Sequence, residues 1–384
     1  MRIAILCADG LTGAEAVGGQ SDYIQGLSTA LAKKNNEVHV FAPSRRQASG
    51  YTFNQGVHHH TIGMGWQRTP SLKELRGAII YYLKATEGVA GPMDVAHAFH
   101  PALLGALNDI KNYSRSRVFL TLPSRESLNG ALASMPMDME WRTEELLDAV
   151  FVSSASLMES AYWDLAVPDS KVYLEYPGIN SARYSRWVDQ GKVKVKHKLN
   201  PLAPVVFYPE EMCPNLGPDV LLEAVFAVRE HRPNVGLVFA GDGPLLPYLR
   251  SRTRVLGMDD AVRFPGLMDE ETLIELYNAC DLVCLPSRDG QLNGTVLRAW
   301  SAGKPVVISP SAAPEFFVNG EDGLVAETDY LSLAQSIEAI LSDPDRCGQI
   351  SRRVWARAAQ DFSWDSIAER ILDKYREAGQ EQKT

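Results

Sequence analysis

Ile3-Ala4-Ile5-Leu6-Cys7, a loop with Gly10, Gly13, Gly18 and Gly19, then Tyr23, Leu27 and Leu31 at helical spacing, then Val38-His39-Val40-Phe41 stopped by Pro43: this opening stretch reads as strand, loop, helix, strand. The first apolar run does not alternate, the pattern of a strand buried on both faces. A strand–helix–strand unit of this size implies a parallel sheet.

Working outward, further strands are expected at Asp94 to Ala98, Val118 to Leu122, Ala149 to Ser153 and Lys171 to Tyr176. Residues 181–202 change character. Lys192-Val193-Lys194-Val195-Lys196-His197-Lys198 alternates in charge and Asn200-Pro201 breaks the chain, which predicts a solvated linker. Strands then resume at Val205-Val206-Phe207, Gly236 to Ala240, Ala261 to Phe264, Leu282 to Leu285 and Pro305 to Ile308. Amphipathic helices separate them at Pro218 to Glu230, Leu245 to Leu256, Glu270 to Asn278 and Thr295 to Ala302. The fold class is therefore α/β: a doubly wound domain over 1–180, the linker at 181–202 and a second doubly wound domain over 203–362. A last helix follows at 363–384, with Ile367, Ile371, Leu372 and Tyr375 on one stripe that has to be buried and Ser363 placed as its N-cap.

The 384 residues are 45% hydrophobic and 22% charged, with a net charge of −9. That balance suits two ordinary cores and supplies no field for nucleic acid or anionic lipid. Five cysteines, an odd number in a long chain, argue against a disulfide framework, and Cys280 and Cys284 lack a second pair at zinc spacing. No apolar run reaches the roughly 20 residues that span a bilayer. Met1 leads into a run too short for a signal peptide, so a cytoplasmic protein without a transmembrane segment is expected.

Several motifs are sharper than the fold pattern. Phe239-Ala240-Gly241-Asp242-Gly243-Pro244, followed by Val262-Arg263-Phe264-Pro265-Gly266, resembles a "GxGP, then V-x-F-x-G" stretch. Asp281 to Ser287 resembles "ADVFVLPS", Ala299 to Val307 resembles "EAMACGTPVV", and Glu315 with Asn319 to Leu324 resembles "PEVVEDGVNGLL". Gly18-Gly19 and Asp94 to Ala98 resemble "GGxE" and "DVVHAH". In this order the motifs resemble retaining glycosyltransferase family 4. The resemblance implies a GT-B fold: two Rossmann-like domains facing across a cleft, an acceptor side first and a nucleotide-sugar side second, with the C-terminal helix crossing back to the first domain. It also implies a nucleotide sugar such as a UDP-sugar as ligand and no other cofactor.

Glycines admit a phosphate close to the backbone, and a helix N-terminus favours an anion. Gly18, Gly19, Gly241, Asp242 and Gly243 are thus candidate ligand contacts, or else simple tight turns. Asn293, Gly294 and Thr295 open a helix and are candidates on the same ground. Other family positions are substituted. The Arg and Lys that meet the diphosphate fall on Glu211 and Leu216, and Glu210 adds a second anion beside them. Each such donor is worth about 3–4 kcal/mol to a developing charge. The paired family glutamates fall on Gly290 and Arg298, with Asp289 one residue early, and the family histidine falls on Pro123. The weak catalytic candidates are therefore Asp289, Arg298 and His100. Arg298 reads either as a replacement cation or as a surface arginine, and His100 as a ligand contact or a satisfied strand-end histidine. His58 and His60 share a strand face by alternation, a polar face rather than a metal site because no third ligand or carboxylate accompanies them. Met135, Met137 and Met139 read as packing, and Trp66 and Trp141 as possible acceptor lining.

Two functional expectations follow. One is a pseudo-glycosyltransferase that keeps the scaffold and part of the ligand site, performs no ordinary transfer and acts with an active glycosyltransferase partner or as a homodimer. The other is a divergent enzyme in which Arg288 and Arg298 replace the lost cations and positioning suffices for transfer. An epimerase or phosphorylase on the same fold rests on analogy alone. A dehydrogenase is disfavoured because the 10–19 loop is not G-x-G-x-x-G.

Overall fold

The computed structural model describes residues 1–8, 20–44, 47–65, 71–134, 143–290 and 292–381. The chain divides into two compact units, residues 1–178 with 364–384 and residues 179–363. Gly10, Gly13, Gly18, Gly19, Trp66, Met135, Met137, Met139 and Trp141 lie outside the described residues.

Among the described residues, the first unit holds eight strands: β1 (Arg2–Leu6), β2 (Glu37–Ser44), β3 (Gly50–Asn54), β4 (Val57–Gly63), β5 (Val95–Ala98), β6 (Arg117–Leu122), β7 (Ala149–Val152) and β8 (Val172–Leu174). Their order is β3-β4-β2-β1-β5-β6-β7-β8, parallel except for β3, which is antiparallel to β4 at the edge. One face packs on helices Leu72–Ala90, Leu104–Tyr113 and Ala155–Leu165, the first begun by a Ser71–Glu74 capping box. The other packs on helices Gln20–Lys33 and Trp364–Glu381. Ile367, Ile371, Leu372 and Tyr375, the predicted stripe, are buried there. Buried His97 ties this helix to the sheet: Nδ1 is 2.6 Å from the Tyr375 hydroxyl and Nε2 is 2.8 Å from Thr121 Oγ1.

The second unit holds β9 (Val205–Tyr208), β10 (Gly236–Ala240), β11 (Val262–Gly266), β12 (Leu282–Leu285), β13 (Val306–Ile308) and β14 (Gly323–Val325). The order β11-β10-β9-β12-β13-β14 is parallel throughout. Connections run outward in one direction from β9 and in the other from β12, so the strand order reverses between these two. In such sheets ligands bind at the carboxyl ends beside the reversal.

Residues 181–202 correct the sequence reading, since they belong to the second unit rather than to a linker. Asp189 accepts from the Lys192 N–H at 3.1 Å and starts helix Gln190–Lys196. Lys194, read as solvated, is buried, with Nζ donating to the Ala203 carbonyl at 2.8 Å and to Asp281 at 3.1 Å. The alternating lysines were misleading because a helix separates their directions: one turns inward and its neighbours meet water and Glu275. Among the described residues, no helix is long and apolar enough to cross a membrane.

Candidate functional site

Two loops meet at the reversal in the second unit. The loop after β9 runs through Glu210 and Glu211 to a single 3-10 turn, Pro214–Leu216, and enters helix Pro218–His231 at Gly217. The loop after β12 leads to helix Asn293–Ser301. The loops are locked together: the Arg288 N–H donates to the Asn215 carbonyl at 2.6 Å, and a Cβ on Gly217 would sit 2.2 Å from the Pro286 carbonyl. Buried Tyr208 shapes the first loop by donating its hydroxyl to the carbonyls of Glu211, at 2.8 Å, and Leu216, at 3.3 Å.

A cavity of about 630 Å³ opens at the ends of β9 and β10, lined by Pro209, Glu210, Glu211, Ala240, Gly241, Asp242, Gly243, Leu267, Met268 and Leu273. The glycines are required for a reason the motif alone does not give. Their φ angles are +146° and +152°, and a Cβ would fall 2.7 Å from the Glu210 carbonyl at Gly241 and 2.6 Å from the Met212 carbonyl at Gly243. They let the β10 turn pack on the β9 loop, which is closed further by Met212 N–H to the Asp242 carbonyl at 2.9 Å. The tight-turn role and the cavity wall are thus the same residues. The apolar wall of Leu267, Met268 and Leu273 was missed in the sequence; the signal was present in Leu267, an exposed leucine directly after the V-x-F-x-G motif.

The charged side chains that line the cavity are acidic. Glu211 and Asp242 are both exposed at the cavity. Glu210 is bonded to the Thr295 hydroxyl, in the first turn of helix Asn293–Ser301. Desolvation holds the Glu210 carboxyl above the usual carboxylate range, against the opposing pull of Thr295 and Arg298. Arg298 is not a surface arginine. It is partly buried, bonds to Tyr184, and is held cationic against its burial by Tyr277, Tyr184 and Glu210. Tyr184, in the stretch expected as a linker, was not foreseen as its partner. Arg288 points to its own side of the loop: it forms two bonds with Asp219, at 2.9 and 3.1 Å, and one with the Pro214 carbonyl.

Of the sequence candidates, Gly241, Asp242 and Gly243 line the cavity, while Asp289, Asn293, Gly294, Thr295 and Arg298 do not. Thr295 and Arg298 are brought to its edge through Glu210. Asp289 lies on an exposed turn whose backbone is fixed by the Ser287 hydroxyl, and Gly294 is exposed with open space around its Cα. His100 stands in the first unit after β5, where Nδ1 accepts the Ala102 N–H at 3.1 Å; this favours the satisfied strand-end reading.

Comparison with known proteins accords with this geometry. A family model described as Glycosyltransferase Family 4 matches residues 17–183, and one described as Glycosyl transferases group 1 matches residues 203–343. The chain is 27% identical over 232 residues to an uncharacterized glycosyltransferase, MJ1607, of Methanocaldococcus jannaschii, covering 59% of this chain and 59% of that protein. It is 25% identical over 392 residues to the D-inositol 3-phosphate glycosyltransferase of Corynebacterium efficiens, covering 94% of this chain and 91% of that one. In fold it is similar to Anabaena HepE, solved in complex with UDP, at a TM-score of 0.72 and 19% identity, covering 98% and 100% of the two chains. Two doubly wound units, each matched by its own glycosyltransferase model, place the chain: it belongs to the glycosyltransferase family 4-like proteins of the GT-B fold.

Proposed function

We propose that this chain is a pseudo-glycosyltransferase, one that accepts the nucleoside end of a nucleotide sugar but performs no ordinary sugar transfer, and that it serves as partner or regulator in glycoconjugate synthesis. The observation that carries the reading is Glu210. Its carboxyl occupies a first-turn threonine of helix Asn293–Ser301 and faces Arg298, so the groups that would meet a phosphate already hold an anion. Among the described residues of the second-unit cavity, the lining side chains with charge are Glu210, Glu211 and Asp242, and none is basic. A carboxylate about 5 Å from a phosphate charge costs about 3 kcal/mol at an effective dielectric of about 20. Loss of a donor to the leaving group costs about 3–4 kcal/mol more. The first effect weakens binding of a diphosphate and the second slows transfer, while a nucleoside meets neither.

The second reading, a divergent transferase working with retention, draws support from relatives named as glycosyltransferases that align over nearly the whole chain. It requires Arg298 to leave Tyr184 or Arg288 to leave Asp219. A turnover screen across uridine, guanosine and adenosine diphosphate sugars, with inositol phosphate and simple sugars as acceptors, separates the two. The expected outcome is no release of nucleoside diphosphate above the uncatalysed rate. Acceptor-dependent release, abolished by Arg298→Ala, would establish the second reading instead.

A further inference from the structure

The histidine stretch of the first unit is not absorbed by the site above. Register explains what sequence spacing could not. β2 and β4 are parallel neighbours that pair His39 with His58 and Phe41 with His60. Alternation puts Glu37, His39, His58 and His60 on one face of the sheet and His59 on the other. The third ligand and the carboxylate absent from the linear His58-His59-His60 motif are thus supplied by the adjacent strand. Glu37, His39 and His58 each offer one ligand atom, all within 4.8 Å of one another.

We propose that Glu37, His39 and His58 bind one divalent transition-metal ion of the zinc class, with water completing the coordination. Two histidines and a carboxylate form an established donor set for such ions. Surrounding groups already orient Glu37 and His39. Glu37 Oε1 lies 3.2 Å from His39 Nε2, so both atoms point into the same space. The other ring nitrogen of His39 is 3.0 Å from His60 Nε2, and that of His58, Nδ1, is 2.8 Å from the Tyr51 hydroxyl. The second oxygen of Glu37 accepts from Arg2 at 2.9 Å. Glu37 and His39 thus have outer polar partners, which in metal sites serve to orient the ligands, and the exposed Tyr51 hydroxyl is free to follow His58 Nδ1. His39 is buried, whereas Glu37 and His58 are partly exposed, which leaves an entry path. Ligation at about 2.0–2.2 Å needs the donor atoms closer than they stand. The His39 and His58 rings also stack at 4.4 Å, so one ring has to turn. His58, on the edge hairpin, is the one able to turn. The bound ion would fasten the β3–β4 edge to β2.

The test is calorimetric titration of the metal-free full chain with zinc chloride, paired with thermal unfolding. One ion per chain at micromolar affinity or tighter is expected, with a raised melting temperature and slower proteolysis within residues 47–63. His58→Ala should weaken binding at least 100-fold, Glu37→Gln at least tenfold, and Tyr51→Phe by a smaller factor. His59→Ala, on the opposite face, should leave affinity unchanged. Absence of one-to-one binding in the folded wild-type chain would overturn the site. So would equal losses in His58→Ala and His59→Ala, which would mark diffuse surface binding instead.

Discussion

The carboxyl of Glu210 sits at the first turn of helix Asn293–Ser301, bonded to the Thr295 hydroxyl and held above its ordinary ionisation range by desolvation. Glu210→Gln keeps an acceptor for Thr295 and removes the charge. It should tighten UDP about tenfold or more in calorimetry, by about 1.4 kcal/mol or more, and leave uridine unchanged. The sign with pH follows from the raised range: as pH falls, Glu210 becomes neutral and its repulsion disappears. Wild-type affinity for UDP should therefore improve on acidification more than that of Glu210→Gln, which reports only the ligand's own protonation. Equal pH profiles would remove Glu210 from the account. Part of this was legible in the sequence, because an anion at Glu211 and a missing lysine at Leu216 can be counted along the chain. The Glu210–Thr295 bond and the burial of Arg298 beside Tyr184 were not, since both depend on which loops the sheet order brings together.

Buried runs bounded by glycine and proline specify central strands most strongly. Gly236–Ala240 and Leu282–Leu285 appear with the expected limits. Residues 181–202 depart from the linker expectation because a four-carbon stem lets one lysine bury its length and still meet Asp281. The C-terminal helix carries two predictions. Burial pushes His97 down to about 3. Between that value and the ordinary histidine range near 6.5, the unfolded chain binds a proton that the folded one does not. Stability of the first unit should be full above about 6.5 and fall on acidification by up to about 1.4 kcal/mol per pH unit. In urea unfolding at pH 7 and pH 5, His97→Gln should lose less between the two than wild type, and an equal loss would contradict the assignment. Gly26 lets Trp364 lie on helix Gln20–Lys33: a Cβ there would fall 2.1 Å from the indole. Gly26→Ala should destabilise this unit by about 1–3 kcal/mol despite the better helix propensity of alanine; a stabilised variant would show that the indole moves aside freely.

Over the whole molecule, the same doubly wound order appears in both units, and the chain returns at its end to complete the first. Truncation after residue 363 should accordingly expose Leu27, Leu31 and Phe119 and make the first unit protease-sensitive, while the second keeps its fold. The proposal of binding without transfer rests on the acidic side chains that line the second-unit cavity and on the substitutions read at the charged family positions. The most direct test is side-by-side calorimetry of uridine and UDP with the wild-type chain at pH 7.5. UDP should bind no more tightly than uridine, because the diphosphate meets carboxylates. UDP binding tighter than uridine by a factor of a hundred or more would show a working diphosphate clamp and contradict it.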